Sequence, residues 1–194
     1  MYEAFDDPYC YPSTSVLKNR GSHQTQADLE KFETFSVAQR FDEPLPKGSL
    51  SYSHYCAIHR HLFQDVYTWA GRIRTVRISK ENSTFCYPEN IDREMRTLFD
   101  ELANENCFRD LDPKTFAERA AHFIAELNAI HPFREGNGRT QSVFLSIVAD
   151  RAGHPLDLGR LNPPEMMEAM IASFNGDESP LSELILRLMR SAAT

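Results

Sequence analysis

"DPKTFAERAAHFIAELNAIHPFREGNGRTQSVFLSIVADRAG", Asp112 to Gly153, holds two helical patterns and between them a short segment that belongs to neither. Asp112 is an N-cap, Pro113 takes the first helical position, and Phe116, Ala120, Phe123, Leu127 and Ile130 run along one buried stripe. The pattern ends at His131-Pro132. A second apolar face, Val143, Phe144, Ile147 and Val148, follows and stops at Gly153. Two buried helices therefore hold a polar loop, Ile130–Thr140, and the rest of the chain has to be read around it.

On either side the signals stay helical. Upstream, "IDREMRTLFDELANEN" gives one helix. "LSYSHYCAIHRHLFQDVYTWAG" gives another, with Tyr55, Ile58, Leu62 and Val66 at helical spacing and Gly71 just past its end. "QADLEKFETFSVAQRF" gives a third, with Leu29, Phe32, Phe35 or Ser36, and Ala38 near one face, broken by Pro44 and Pro46. Downstream, "NPPEMMEAMIASFNG" and "SPLSELILRLMRSA" close the chain as two more helices. The only strand signal lies at 72–87, where the alternating "RIRTVRIS", the turn-forming "KENS" and "TFCY" predict a β-hairpin around Lys80 to Ser83. A lone hairpin is marginal, so it must lean on the helices or use its free edge. Residues 1–25 carry no sustained period and read as an arm laid on the domain. The fold class expected is all-α with one small β-hairpin, in a single domain over 1–194.

Composition agrees. The chain has 194 residues, 41% hydrophobic and 25% charged, which suits one globular domain with a sizeable core. A net charge of −7 without a basic cluster argues against nucleic acid or an anionic membrane as partner. No apolar run approaches the ~18 residues of a membrane span. Cys10, Cys56, Cys86 and Cys107 are scattered, and no signal-like segment opens the chain, so reduced thiols and a cytoplasmic location are expected.

The loop carries chemistry. Gly136, Asn137 and Gly138, set before a helix, can turn successive backbone N–H groups inward as an anion nest, and the helix start adds positive potential. Arg139 in a first helical turn opposes the helix dipole unless an anion is present, and its planar fork suits phosphate oxygens. Glu135 would repel a bare phosphate but becomes useful with Mg²⁺ between them. His131, fixed by Pro132 at a helix end, sits where a general base could be held. Singly, each has a plain structural reading: a turn, a solvated ion pair, a dipole partner. Together they make a phosphoryl or nucleotidyl transfer site. His54, His59, His61 and His122 find no ligand set at a recognisable spacing and read as surface or satisfied core. Trp69 and the Met166, Met167, Met170 cluster read as packing.

"HPFREGNGR", His131–Arg139, resembles without a gap the Fic signature, His-x-Phe-x-(Asp or Glu)-Gly-Asn-Gly-Arg, and the similarity runs from the "DPY" arm to the last helices. The resemblance implies a protein adenylyltransferase that moves AMP from ATP to a hydroxyl side chain of a target protein. It implies His131 as base, Glu135 as Mg²⁺ ligand, Gly136, Asn137, Gly138 and Arg139 as phosphate binders, and Phe133 as the loop's core anchor. The hairpin becomes a flap that pairs with a target segment by strand addition, with Arg77, Ile78, Ser79, Lys80 and Phe85 at the docking edge, Phe85 either clamping the target side chain or simply packing.

Two departures matter. The fuller signature has a second Arg three residues after the first, for the γ phosphate, and here that position is Ser142. A hydroxyl cannot replace a guanidinium there, which leaves three alternatives: a slow AMP transferase, a transferase of another nucleotide or headgroup, or a weakened nucleotide- or partner-binding protein. Second, the family's inhibitory pattern, Ser/Thr-x-x-x-Glu followed by Gly or Asn, is absent: Glu81, Glu89, Glu105 and Glu135 all lack the Ser or Thr. That resembles the class I arrangement, in which a separate small antitoxin restrains a toxin that modifies DNA gyrase B and topoisomerase IV.

Overall fold

The computed structural model describes residues 7–80 and 83–190. Within them the chain forms α1 (Gln26–Phe41), α2 (Tyr52–Phe63), a hairpin of β1 (Ser79–Lys80) and β2 (Ser83–Thr84), then α3 (Pro88–Asn104), α4 (Pro113–Ile130), α5 (Asn137–Ala152), α6 (Pro163–Phe174) and α7 (Ser179–Leu188). The helix starts are written locally. Thr25 accepts from the Asp28 N–H, Ser51 from that of His54, and Asp112 from those of Lys114 and Thr115. Proline fills the first turn of α3, α4, α6 and α7.

The central element is α4, which packs against α3, α5, α6 and α7. Its expected stripe is buried, and so are Ala117, Ala121, Ile124 and Ala125, so it is covered on more than one face. The alanines let neighbouring helices come close. Against it sits an aromatic cluster: Phe99 meets Phe123 edge-on at 5.5 Å between centroids, and Tyr55 stacks on Phe133 at 5.5 Å. α2 joins α1 to α5, and so carries the N-terminal part of the chain onto the same core.

Four expectations need correction. The hairpin is shorter than 72–87: its ladder pairs only Ser79 with Thr84 and Lys80 with Ser83. Residues 72–78 alternate like a strand, but Arg74 is turned into the core and its N–H goes to the Pro132 carbonyl at 2.8 Å, so the period has another cause. α2 stops at Phe63, well before Val66, and Gly71 instead forms a positive-φ turn (φ 80°) whose N–H reaches His59. On α1 Leu29 and, of the two alternatives, Ser36 are buried as expected, joined by Val37, while Phe35 and Ala38 are exposed. In the methionine cluster Met170 is buried, but Met167 is exposed. The hairpin turn Glu81-Asn82 and residues 1–6 of the arm lie outside the described residues. From Asp7 on, the arm does lie on the domain. Its Asp7 carboxylate meets the Arg134 guanidinium at 2.7 Å, both side chains being buried, and the Arg20 N–H donates to the Val66 carbonyl.

Candidate active site

The loop between α4 and α5 is held from below. Phe133 is fully buried, and its ring stacks on the His59 imidazole at 3.7 Å between centroids. Asn137 points inward: its Oδ1 accepts the Phe133 N–H at 2.9 Å and its Nδ2 donates to the Phe133 carbonyl at 2.8 Å. That reciprocal pair closes the loop on itself, so the Asn137 side chain staples the backbone rather than facing a ligand. Gly136, at φ 82°, is the N-cap of α5, and a Cβ there would stand 2.4 Å from the Phe63 ring. Both the dihedral and the space exclude a side chain.

His59 is the hidden brace. Its Nδ1 accepts the Gly71 N–H at 2.8 Å, which fixes the proton on Nε2, and Nε2–H donates to the Glu135 carbonyl at 3.0 Å. Burial pushes its pKa down to about 3, with the nearby Arg139 charge acting the same way and the bond to the Glu135 carbonyl opposing both. It is a neutral strut, in keeping with the reading of His59 as satisfied core. His54 and His61 likewise bond backbone carbonyls, of Pro46 and Arg40. His122 differs: its Nδ1 meets the Glu178 carboxylate at 3.0 Å, with Glu126 near, in an exposed group that the spacing did not reveal.

Above the loop, carboxylates occupy its polar donors. The Gly136 N–H donates to the Glu135 carboxylate at 2.9 Å. Arg139 meets Glu33 of α1 at 2.7 Å and Glu135 at 3.5 Å, and its guanidinium lies 4.7 Å over the Phe63 ring. Glu33 is held in turn by the Tyr67 hydroxyl, which donates to it; burial first, then the Glu33 charge, raise the phenol's pKa, so it stays a donor. Dehydration in this recess also raises the pKa of Glu135, with the Gly136 N–H opposing and Glu33 adding to it. A cleft of about 360 Å³ opens here, lined by Leu17, Glu30, Glu33, Tyr67 and Glu135. Sequence reasoning missed Glu33 and Tyr67. An acid on an amphipathic helix a hundred residues upstream carries no local signal of its partner.

His131 caps α4 in the left-handed region (φ 50°, ψ 62°). Its Nδ1 lies 3.2 Å from the Asn128 carbonyl, which can only accept, so the ring carries a proton on Nδ1. Phe85 of the flap stacks on the imidazole at 4.0 Å and is itself buried. Of the other flap residues, Arg77 is exposed and lies over the Tyr87 ring at 4.4 Å, Ser79 is half-buried, and Ile78 is fully buried, so Ile78 offers an incoming strand only its backbone. Lys80 pairs in the ladder through its backbone, and its side chain lies outside what is described. The Ser142 hydroxyl donates back to the Gly138 carbonyl at 3.0 Å, one turn earlier in α5. Gly138 is exposed, with open space where a Cβ would stand.

A profile of the Fic/DOC family matches residues 49–149, which hold α2, the flap, α4, the loop and most of α5. The chain belongs to the Fic/DOC family. Among Fic/DOC relatives, the probable protein adenylyltransferase y4lH of Sinorhizobium fredii (strain NBRC 101917 / NGR234) is 49% identical over 189 residues, covering 97% of this chain and 98% of the relative. The protein adenylyltransferase VbhT of Bartonella schoenbuchensis is 40% identical over 96% of this chain and 40% of its own length. Among solved structures, BepC of Bartonella tribocorum with bound AMPPNP superposes with a TM-score of 0.85 at 25% identity, over 95% of this chain and 97% of that one. This Fic/DOC chain is accordingly an enzyme, a protein adenylyltransferase. Among the described residues, no helix is long and apolar enough to cross a membrane.

Proposed function

We propose that His131 is the general base of an AMP transfer from ATP to a Tyr, Thr or Ser hydroxyl of a target protein. The observation that supports this is the bond from Nδ1–H to the Asn128 carbonyl, which ties one ring nitrogen to the backbone and assigns the target's proton to the other, Nε2. The target oxygen attacks the α phosphorus and gives its proton to Nε2. The bond from that phosphorus to the bridging oxygen breaks, and pyrophosphate leaves. Charge on the phosphates is met by the N–H groups of Gly136, Asn137 and Gly138 at the start of α5 and by Arg139, which exchanges Glu33 and Glu135 for phosphate oxygens. The nucleotides bound in relatives, AMPPNP in BepC and ADP in a Bartonella quintana Fic domain, support ATP as co-substrate.

Glu135 fits a Mg²⁺ ligand: it is a hard oxygen donor about a third exposed, with the Glu33 carboxylate also within reach of Arg139. When bound, the ion would neutralise phosphate charge beside the loop. The flap edge from Arg77 to Lys80 is assigned to strand addition of the target segment, and Phe85 to orienting His131 beneath it.

The target we assign is the type II topoisomerase subunits, DNA gyrase B and topoisomerase IV, modified in the cytoplasm by a growth-arresting toxin. The restraint is a small antitoxin supplying its helix in trans. The missing inhibitory pattern supports a partner in trans, and exposed Phe35 and Phe41 on α1, the helix that carries Glu33, offer it apolar surface. One observation favours a second reading, a donor other than ATP: the position of the second Arg holds Ser142, a neutral side chain whose hydroxyl proton turns to the helix. Labelling gyrase B with several α-labelled nucleotides, by the natural protein and by Ser142→Arg, separates the two. Preference for ATP by the natural protein supports the first reading. Preference for another donor, reverting to ATP in Ser142→Arg, overturns it.

A further inference from the structure

An α-helix leaves its last four carbonyls without intrahelical partners, and α4 runs at its end into the buried segment Ile130 to Pro132, where water cannot supply them. Six consecutive carbonyls at this end are nevertheless paired. Those of Leu127 and Asn128 take the His131 N–H and Nδ1–H. That of Ala129 takes the Cys86 N–H at 3.1 Å. The next three all go to Arg74: Ile130 to Nη2 at 3.2 Å, His131 to Nε at 2.9 Å, and Pro132 to its backbone N–H at 2.8 Å.

The same guanidinium reaches the flap. Nη1 donates to the Val76 carbonyl at 2.7 Å and Nη2 to that of Cys86 at 2.7 Å, one in the segment leading into β1 and one in the segment leaving β2. Arg74 is 1% exposed, and no ion pair with a carboxylate is found for it among the described residues. Its charge is met by carbonyl dipoles at the negative end of α4. A lysine cannot do this. It has three donors on one atom, whereas these four acceptors need a planar fork.

We infer that Arg74 is a positioning residue for AMP transfer, fixing His131 in its left-handed cap and locking the flap to the same point. The inference rests on the assignment of His131 as base. Arg74 touches neither nucleotide nor target. It acts by holding the carbonyl ends that decide where the imidazole and Phe85 lie, and Phe85 is seated one residue before the Cys86 it binds. The phosphate nest depends on a separate set of bonds, the Asn137 staple and the His59 strut. Loss of Arg74 therefore separates transfer from nucleotide binding.

The test compares the full chain with Arg74→Met and Arg74→Lys. Three quantities are read at a temperature where circular dichroism shows each folded: kcat for AMP transfer, affinity for ADP, and the His131 tautomer by nitrogen NMR of the imidazole. The expected result is a fall in kcat of at least about 100-fold in Arg74→Met, in line with the cost of an ångström-scale misplacement. ADP affinity should stay within threefold, and the single Nδ1–H tautomer should give way to a mixture. Arg74→Lys should fall between the two, and it serves alone if the methionine variant does not fold. Variants with kcat within threefold of the natural protein would overturn the inference and leave the base assignment standing. So would a parallel drop in kcat and ADP affinity, the mark of a merely structural role. If the natural protein transfers no AMP, the base assignment fails and the tautomer alone decides: a mixture in the variant upholds the positioning, and unchanged spectra refute it.

Discussion

Acid should loosen this fold through one histidine. His59 is fully buried between Phe133 and Phe63, accepts the Gly71 N–H and donates to the Glu135 carbonyl, so a second ring proton has no acceptor. Its pKa is about 3 folded, against 6.5 for the free side chain. A folded pKa below the unfolded one means that only the unfolded chain takes up the proton as pH falls from 6.5 towards 3. Stability is therefore whole above pH 6.5 and lost below it. Between pH 7 and pH 5 the unfolded state gains about 2 kcal/mol from this site, while the folded state gains almost nothing. Urea unfolding at pH 7, 6 and 5, beside His59→Gln, reads it directly. Groups shared by both proteins cancel, so the variant, whatever its starting stability, should lose about 2 kcal/mol less over the interval. Parallel losses, or an NMR titration of His59 with a midpoint above pH 5, would refute the buried-strut account.

The glycines of the loop should behave in opposite ways. Gly136→Ala forces a left-handed alanine and sets its Cβ 2.4 Å from Phe63, so it should cost roughly 2–4 kcal/mol in thermal or urea unfolding. Gly138→Ala meets open space within a helix and should leave stability level or raised by up to ~1 kcal/mol, while lowering ADP affinity at least about tenfold by crowding the open backbone. Unchanged ADP affinity would remove Gly138 from the nest. Glu33→Gln should tighten ADP binding by about fivefold, near 1 kcal/mol after allowing for the pair's partial exposure, because Arg139 loses a competing carboxylate. Weaker binding on calorimetry would mean that Glu33 orients Arg139 instead of competing with phosphate.

What the sequence reveals follows how local the cause is. α4, α6 and α7 are legible because a polar residue, a proline and an apolar stripe lie within one segment, and α1 and α4 are found with the expected limits. The loop His131 to Arg139 stands out for the same reason, since its motif and its flanking helices are contiguous. Arg74 misleads because a residue serving a helix end fifty residues away has the alternation of a strand. Glu33 and Tyr67 are silent because their neighbour, Arg139, is brought to them only by the packing of α1 on α2 and of α2 on α5. Ile78 looks like a docking residue by position on the flap, yet the short ladder turns its side chain into the core. The sequence motif suggests the chemistry, while the carboxylates that meet Arg139 and the Gly136 N–H are visible only in three dimensions.

The most direct test of the account is transfer from ATP labelled on the α phosphate, with Mg²⁺ and purified gyrase B or a bacterial lysate, beside His131→Ala. A labelled protein band that vanishes in His131→Ala, while ADP binding persists, is the predicted result. Equal labelling by the variant would contradict the assignment of His131 as base. No labelled band from the natural protein, while it still binds ADP, would contradict the proposed AMP transfer to a target hydroxyl under these conditions.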